Sequence, residues 1–183
     1  MKLGGAGGCA LRCGLAALAL WPAGCFRAPE PYAPPPQRGS PATIEIPFGS
    51  FVNMSDAGAA AYFVQDVSPQ LEANAWRWTF EKPTLRFYLP DIAGLYFTME
   101  LAMPGVTLAH TGPVVLTVAI NGHTFERITY SKDGQYSIRK PVPAEWLMQG
   151  SENLVEMYLD KHYVTESDKV KLGFILTRAG FVK

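Results

Sequence analysis

An all-β fold, an antiparallel β-sandwich with one short helical turn, is what the sequence predicts from residue 43 to residue 183. Three observations carry that expectation. Apolar residues alternate with polar ones over short runs, the two-residue period of a strand with one buried face. Turn-forming pairs punctuate the runs at Pro90-Asp91, Pro104-Gly105, Asn121-Gly122, Asp133-Gly134 and Gly150-Ser151. The chain has 183 residues, 48% of them hydrophobic, which is enough for one core and one domain.

The chain does not start with that pattern. Lys2 and Arg12 give a basic beginning, and "CGLAALALWPAG", residues 13–24, is an apolar run of 12 residues. That is the length of the apolar part of a signal peptide and too short to span a bilayer. The small residues Ala23 and Gly24 precede Cys25. The arrangement resembles a bacterial lipoprotein signal, in which a small residue precedes the cysteine that becomes lipidated. The resemblance implies a signal peptide over residues 1–24. It also implies a palmitate-bearing lipid on Cys25 and attachment to a membrane of the bacterial cell envelope. Pro22 stands where that family prefers leucine. All three cysteines (Cys9, Cys13, Cys25) fall in this stretch, so the rest of the chain has no disulfide and no cysteine–metal site. Losing the leader leaves 14 basic residues against 16 acidic, a net charge of −2. A mildly acidic domain without a Lys/Arg cluster is not built for nucleic acid.

Residues 25–42 include "FRAPEPYAPPPQRGSPA", rich in proline and poor in apolar side chains. This segment cannot form a core and reads as an extended linker. At about 3.1 Å per residue it reaches up to roughly 50 Å.

Strands follow in order. "TIEIPF" alternates Ile44 and Ile46, and "AAAYFVQDV" suits a strand or a short helix. "WRWTF" sets Trp76, Trp78 and Phe80 on one face, expected in the core, and Arg77 and Thr79 on the other. After Pro83, "TLRFYL" alternates Leu85, Phe87 and Leu89. "LYFTMELAM" alternates Leu95, Phe97, Met99 and Leu101; "VVLTVAI" alternates Val114, Leu116, Val118 and Ile120. "TFERITY" and "QYSIRK" are shorter runs, and "PAEWLMQG" is the one helical turn, with Trp146 plugging it onto the end of the sandwich. "LVEMYLDKHYV" sets Val155, Met157 and Leu159 inward and Tyr158 outward, and "KLGFILTRAGF" aligns Leu172, Phe174 and Leu176.

"VVLTVAINGH" followed by "KPVPAEWLMQGSENLVEMYLD" resembles the galactose-binding-domain-like jelly-roll modules. The matching residues are Asn121, Gly122, Val142, Pro143, Leu147, Gly150 and Asn153. The resemblance covers residues 76–181. It implies a jelly-roll topology and a module that binds carbohydrate or another partner. Asn-Gly tolerates the positive φ of a tight hairpin turn, so His123 reads as an exposed residue just after that turn.

Nothing in the sequence demands an enzyme. There is no Gly-x-Ser-x-Gly elbow, no His-Glu-x-x-His and no phosphate-binding glycine loop on a strand–helix junction. His123 and Glu126 fall on opposite faces of a strand, which does not make a metal site. No cofactor and no metal is expected. "DKHYVTESDK" gathers Asp160, His162, Glu166 and Asp168 around Tyr163. Oxygen ligands in one loop suit calcium, but a solvated hairpin turn is the favoured reading. Aromatic rings match the C–H faces of sugars when polar neighbours hold the hydroxyls. The candidate ligand-binding residues are therefore Tyr158, His162, Tyr163, Glu166 and Asp168. The expected function is a non-catalytic envelope module that binds a glycan. A module docking another envelope protein is the alternative, and a glycan-acting hydrolase the weakest one.

Overall fold

The computed structural model describes residues 47–183. The leader, Cys25, the linker, Ile44 and Ile46 lie outside the described residues. The strands are β1 (Phe51–Asn53), β2 (Phe63–Val67), β3 (Arg77–Leu89), β4 (Tyr96–Met103), β5 (Val114–Ile120) and β6 (His123–Tyr130). They continue with β7 (Gly134–Pro141), β8 (Ser151–Leu159), β9 (Tyr163–Val164), β10 (Lys171–Leu172) and β11 (Ile175–Val182). A seven-residue helix, α1 (Gly105–Thr111), joins β4 to β5. Single 3-10 turns span Ala59–Tyr62 and Ala144–Trp146.

The fold is an antiparallel β-sandwich, as predicted. The main hydrogen-bonded path runs β6-β5-β8-β3-β11-β4-β7, with β1 added to β11 and β2 to β3. It is one sheet folded over on itself at β3. The first residues of β3 pair with β11 (Arg77 opposite Leu176, Trp78 opposite Ile175). Its second half pairs with β8, from Thr84 opposite Glu156 to Leu89 opposite Ser151. One layer therefore holds β1, β11, β4 and β7, and the other holds β6, β5, β8, the rest of β3 and β2. Phe87 from β3 meets Phe181 from β11 edge-on at 5.5 Å, and Phe181 meets Phe97 from β4 at the same distance. All three rings are buried between the layers.

Most of the alternation holds. β4 buries Phe97, Met99, Leu101 and Met103, β5 buries Val114, Leu116, Val118 and Ile120, and β8 buries Val155, Met157 and Leu159. Tyr158 is 43% exposed. "AAAYFVQDV" divides into a 3-10 turn and then β2. The last run breaks at Gly173, so Leu172 ends β10 and stays half-buried while Phe174 and Leu176 enter the core. Helix α1 was not predicted. Its sequence, GVTLAHT, has β-branched residues and no helical apolar period, and it is bounded by Pro104 and by Gly112 at φ 69°. No helix among the described residues is long and apolar enough to cross a membrane.

One expectation is reversed. Trp76, Trp78 and Phe80 are not core; they are half-buried, and none packs on the apolar core. Arg77 and Thr79 point inward instead, 8% and 0% exposed.

Candidate functional site

The reversal follows from β3 being a single 13-residue strand rather than two runs separated by Pro83. Leu85, Phe87 and Leu89 face the core, and the same odd-numbered side includes Arg77 and Thr79. Between them the strand bulges. The register on β2 jumps from Gln65 opposite Thr84 to Val67 opposite Thr79. Asp66, at φ 57°, fills the gap, its carboxylate accepting from Lys82 N at 2.9 Å. Gln65 Nε2 donates to Lys82 O at 3.1 Å.

Two inward polar groups are satisfied by backbone. Arg77 Nε donates to Met54 O at 3.0 Å, and its Nη1 reaches the carbonyls of Ser68 (3.4 Å) and Pro69. The guanidinium lies 5.3 Å from the centre of the Phe63 ring. Thr79 Oγ1 donates to Phe174 O at 2.7 Å and accepts from Phe174 N at 2.9 Å. The neighbouring Gly173 is required by space: a Cβ there would sit 2.7 Å from both Phe80 O and Thr79 Oγ1. These bonds fix the facing of β3 and hold its aromatics outward. Trp76 and Trp78 pack edge-to-face at 5.8 Å and 85°. A tight turn whose Glu72 N donates to Trp76 O at 2.8 Å holds the first of them.

The five predicted site residues do not form one cluster. Tyr158 stands on the outer face of β8, opposite Thr117. It borders Lys82, whose ammonium is raised chiefly by its 2.8 Å bond to Glu156 and slightly by Tyr158. His162 Nε2 donates to Glu81 O at 3.2 Å, on the same bulge. Lys171 pairs with the Glu81 carboxyl and holds it below the usual carboxylate range. Tyr158 and His162 thus flank Glu81–Lys82. Tyr163 turns toward α1, its ring 4.7 Å from that of His110. Asp168 is engaged within the hairpin turn: the Thr165 hydroxyl donates to it and lowers its pKa, and Ser167 Oγ adds a 3.3 Å contact. Glu166 is exposed on the same turn. The β9–β10 pair is a hairpin closed by Thr165 N donating to Val170 O at 3.0 Å. Among the described residues no group of three His, Cys, Asp or Glu is placed to hold a metal ion.

The Asn-Gly region is structural. Asn121 and Gly122 take φ 48° and 83°. Asn121 Nδ2 donates to Trp146 O and to Asn153 Oδ1, both at 2.8 Å, and its Oδ1 accepts from Leu154 N at 2.8 Å. Asn153, fully buried, accepts from Met148 N at 2.7 Å and donates to Met148 O at 2.9 Å. His123 is exposed, as expected, and its ring stacks on Trp146 at 4.9 Å and 9°. Trp146 packs against the core, as expected of the plug at that end.

Three further concavities among the described residues are open and shallow. One, about 280 Å³, lies on the outside of β4, β7 and β11 and is lined by Glu100, Gln135, Ser137 and Thr177 among others. Another borders Tyr130, whose phenol is pushed up to about 12, first by burial and then by Tyr136 and Glu126.

No family model matches this chain, and no curated protein matches it. Among solved structures it is similar to a family 35 carbohydrate-binding module from Clostridium thermocellum. That match has 9% identity and a TM-score of 0.41, covering 65% of this chain and 89% of that one. A family 35 module from an environmental isolate matches at 10% identity and TM-score 0.39, over 72% and 95%. An acetyl xylan esterase from Butyrivibrio proteoclasticus matches at 11% identity and TM-score 0.41, over 73% of this chain and 32% of the esterase. Likeness at this level bears on neither ligand nor activity, and the fold rests on the strand pairing described above.

Proposed function

We propose that the sandwich is a non-catalytic binding module for carbohydrate, displayed from the bacterial cell envelope by a lipid on Cys25. One observation carries the ligand class: aromatic side chains stand outside the core beside charged and hydrogen-bonding groups. Tyr158 is 43% exposed beside Lys82, and Trp76, just before β3, and Trp78 and Phe80 on it are half-buried outside the core. Sugars present both C–H faces and hydroxyls, and such surfaces answer both. The loop side, with Tyr158, His162, Tyr163, Glu166 and Asp168, is one place for the ligand. One ring stacked on one sugar gives weak binding, on the order of micromolar to millimolar.

A glycan array probed with the full chain tests the reading. Tyr163→Ala should weaken binding while leaving the melting temperature nearly unchanged. No binding at millimolar sugar across a broad array removes carbohydrate as the ligand and leaves the docking of an envelope protein. The anchor has its own test. Radiolabelled palmitate should enter the wild type and not Cys25→Ser; equal labelling of both refutes it.

A further inference from the structure

The outward turn of Trp78 places it at the end of a cross-strand row. Trp78 is opposite Ile175, Ile175 is opposite Ala102, and Ala102 is opposite Gln135. The row crosses β3, β11, β4 and β7 on the side away from the core. Three strand spacings give it a length of about 14 Å. It has an indole at one end, braced by Trp76, and an amide at the other. The small Ala102 keeps the middle low.

The next row of the face is polar. Arg178 is opposite Glu100, and Glu100 is opposite Ser137. Arg178 and Glu100 form an exposed ion pair, which raises the arginine's pKa first through that bond. Glu100, Ser137, Gln135 and Thr177 line the shallow depression beside the row. Donors and acceptors therefore flank an apolar strip along its length.

We propose that this outer face binds a chain of pyranose sugars, with Trp78 as the stacking platform and the Gln135–Glu100 side holding hydroxyls. The proposal rests on the carbohydrate reading above and moves the main contact from the loop to the β3–β11–β4–β7 face. A sugar chain fits the mixture better than a protein surface does. A protein covering the face would strip water from the Glu100–Arg178 pair, and exposed pairs return little for that cost. A sugar leaves the pair partly wet, donates to the carboxylate and accepts from the guanidinium or amide. The flat, open shape suits a polymer lying across it rather than a single enclosed sugar.

The experiment is retention of the full chain on insoluble xylan, mannan, cellulose and peptidoglycan. It compares wild type, Trp78→Ala, Ala102→Arg and Tyr158→Ala, with a melting temperature for each. Ala102→Arg fills the low middle of the row and leaves Trp78 in place. The expected result is wild-type retention on at least one polymer, with losses of about tenfold or more in both Trp78→Ala and Ala102→Arg. The bound polymer should also shield tryptophan fluorescence from a soluble quencher. If Trp78→Ala melts early, folded Ala102→Arg decides: loss supports the face, and full retention overturns it. Wild-type binding that survives both face variants but falls in Tyr158→Ala overturns this inference and keeps the carbohydrate reading on the loop side. Wild type held by no polymer and by no arrayed glycan overturns both.

Discussion

Two places in this sandwich bury polar side chains, and they do so in different ways. At the Asn121–Asn153 end, the amide from the β5–β6 turn and the amide from β8 bond each other and the backbone of Trp146, Met148 and β8. At the start of β3, Arg77 and Thr79 bond backbone alone, from separate segments: Met54, Ser68 and Pro69 for one, and Phe174, 95 residues on, for the other. The first arrangement closes a local corner. The second joins the beginning, middle and end of the domain, and it decides which way a tryptophan-bearing strand faces. The same kind of chemistry serves as a hinge pin in one place and as an orientation device in the other.

The contrast can be broken by substitution. The largest loss is expected for Asn153→Leu, which removes one of the two acceptors of the Asn121 amide and leaves Met148 N and Met148 O without their side-chain partner in a buried corner. About 3 kcal/mol of stability should disappear in a denaturant melt. Arg77→Met keeps an apolar stem of similar length but withdraws donors from carbonyls at Met54, Ser68 and Pro69. A loss of about 2 kcal/mol is expected, because the stem still packs and the cost of a buried charge is relieved. A loss below about 0.5 kcal/mol would mean that apolar packing alone orients β3. Trp78→Ala should cost about 1 kcal/mol or less, well below the 3–5 kcal/mol typical of a core aromatic such as Phe87. A core-sized loss there would restore the sequence-based assignment of Trp78. His123→Ala, on the exposed side of the first corner, should change stability by about 0.5 kcal/mol or less.

These differences show where sequence was informative. The Asn-Gly turn was legible because its signal is local: two adjacent residues and a positive φ. The alternation in β4, β5 and β8 was legible for the same reason. The facing of "WRWTF" was not, because local hydrophobicity favours tryptophan over arginine for the inside. The contrary signal was the parity set by Leu85, Phe87 and Leu89, and reading Pro83 as a break hid it. Pro83 lies within the strand at a bulge, where a missing N–H is tolerated. Of the candidate site, the exposure of Tyr158 was legible. The division of the loop residues was not, because α1 draws Tyr163 aside and GVTLAHT carries no helical signal.

The pairing of β1 with β11 has a consequence for how the chain reaches this state. Phe51 lies opposite Gly180, so closely that a Cβ on Gly180 would fall 2.4 Å from Ser50 O. The first described strand therefore waits for the last. Until β11 has emerged, β1 lacks a partner, β4 has only β7, Arg77 and Trp78 have nothing on their β11 side, and Thr79 lacks both bonds to Phe174. Long-range closure of this kind is slow, and it exposes strand edges while it is pending. A chain emerging N-terminus first can make the β5–β6 hairpin early but cannot seal the sandwich. The tryptophan-bearing face takes shape in the final step of folding.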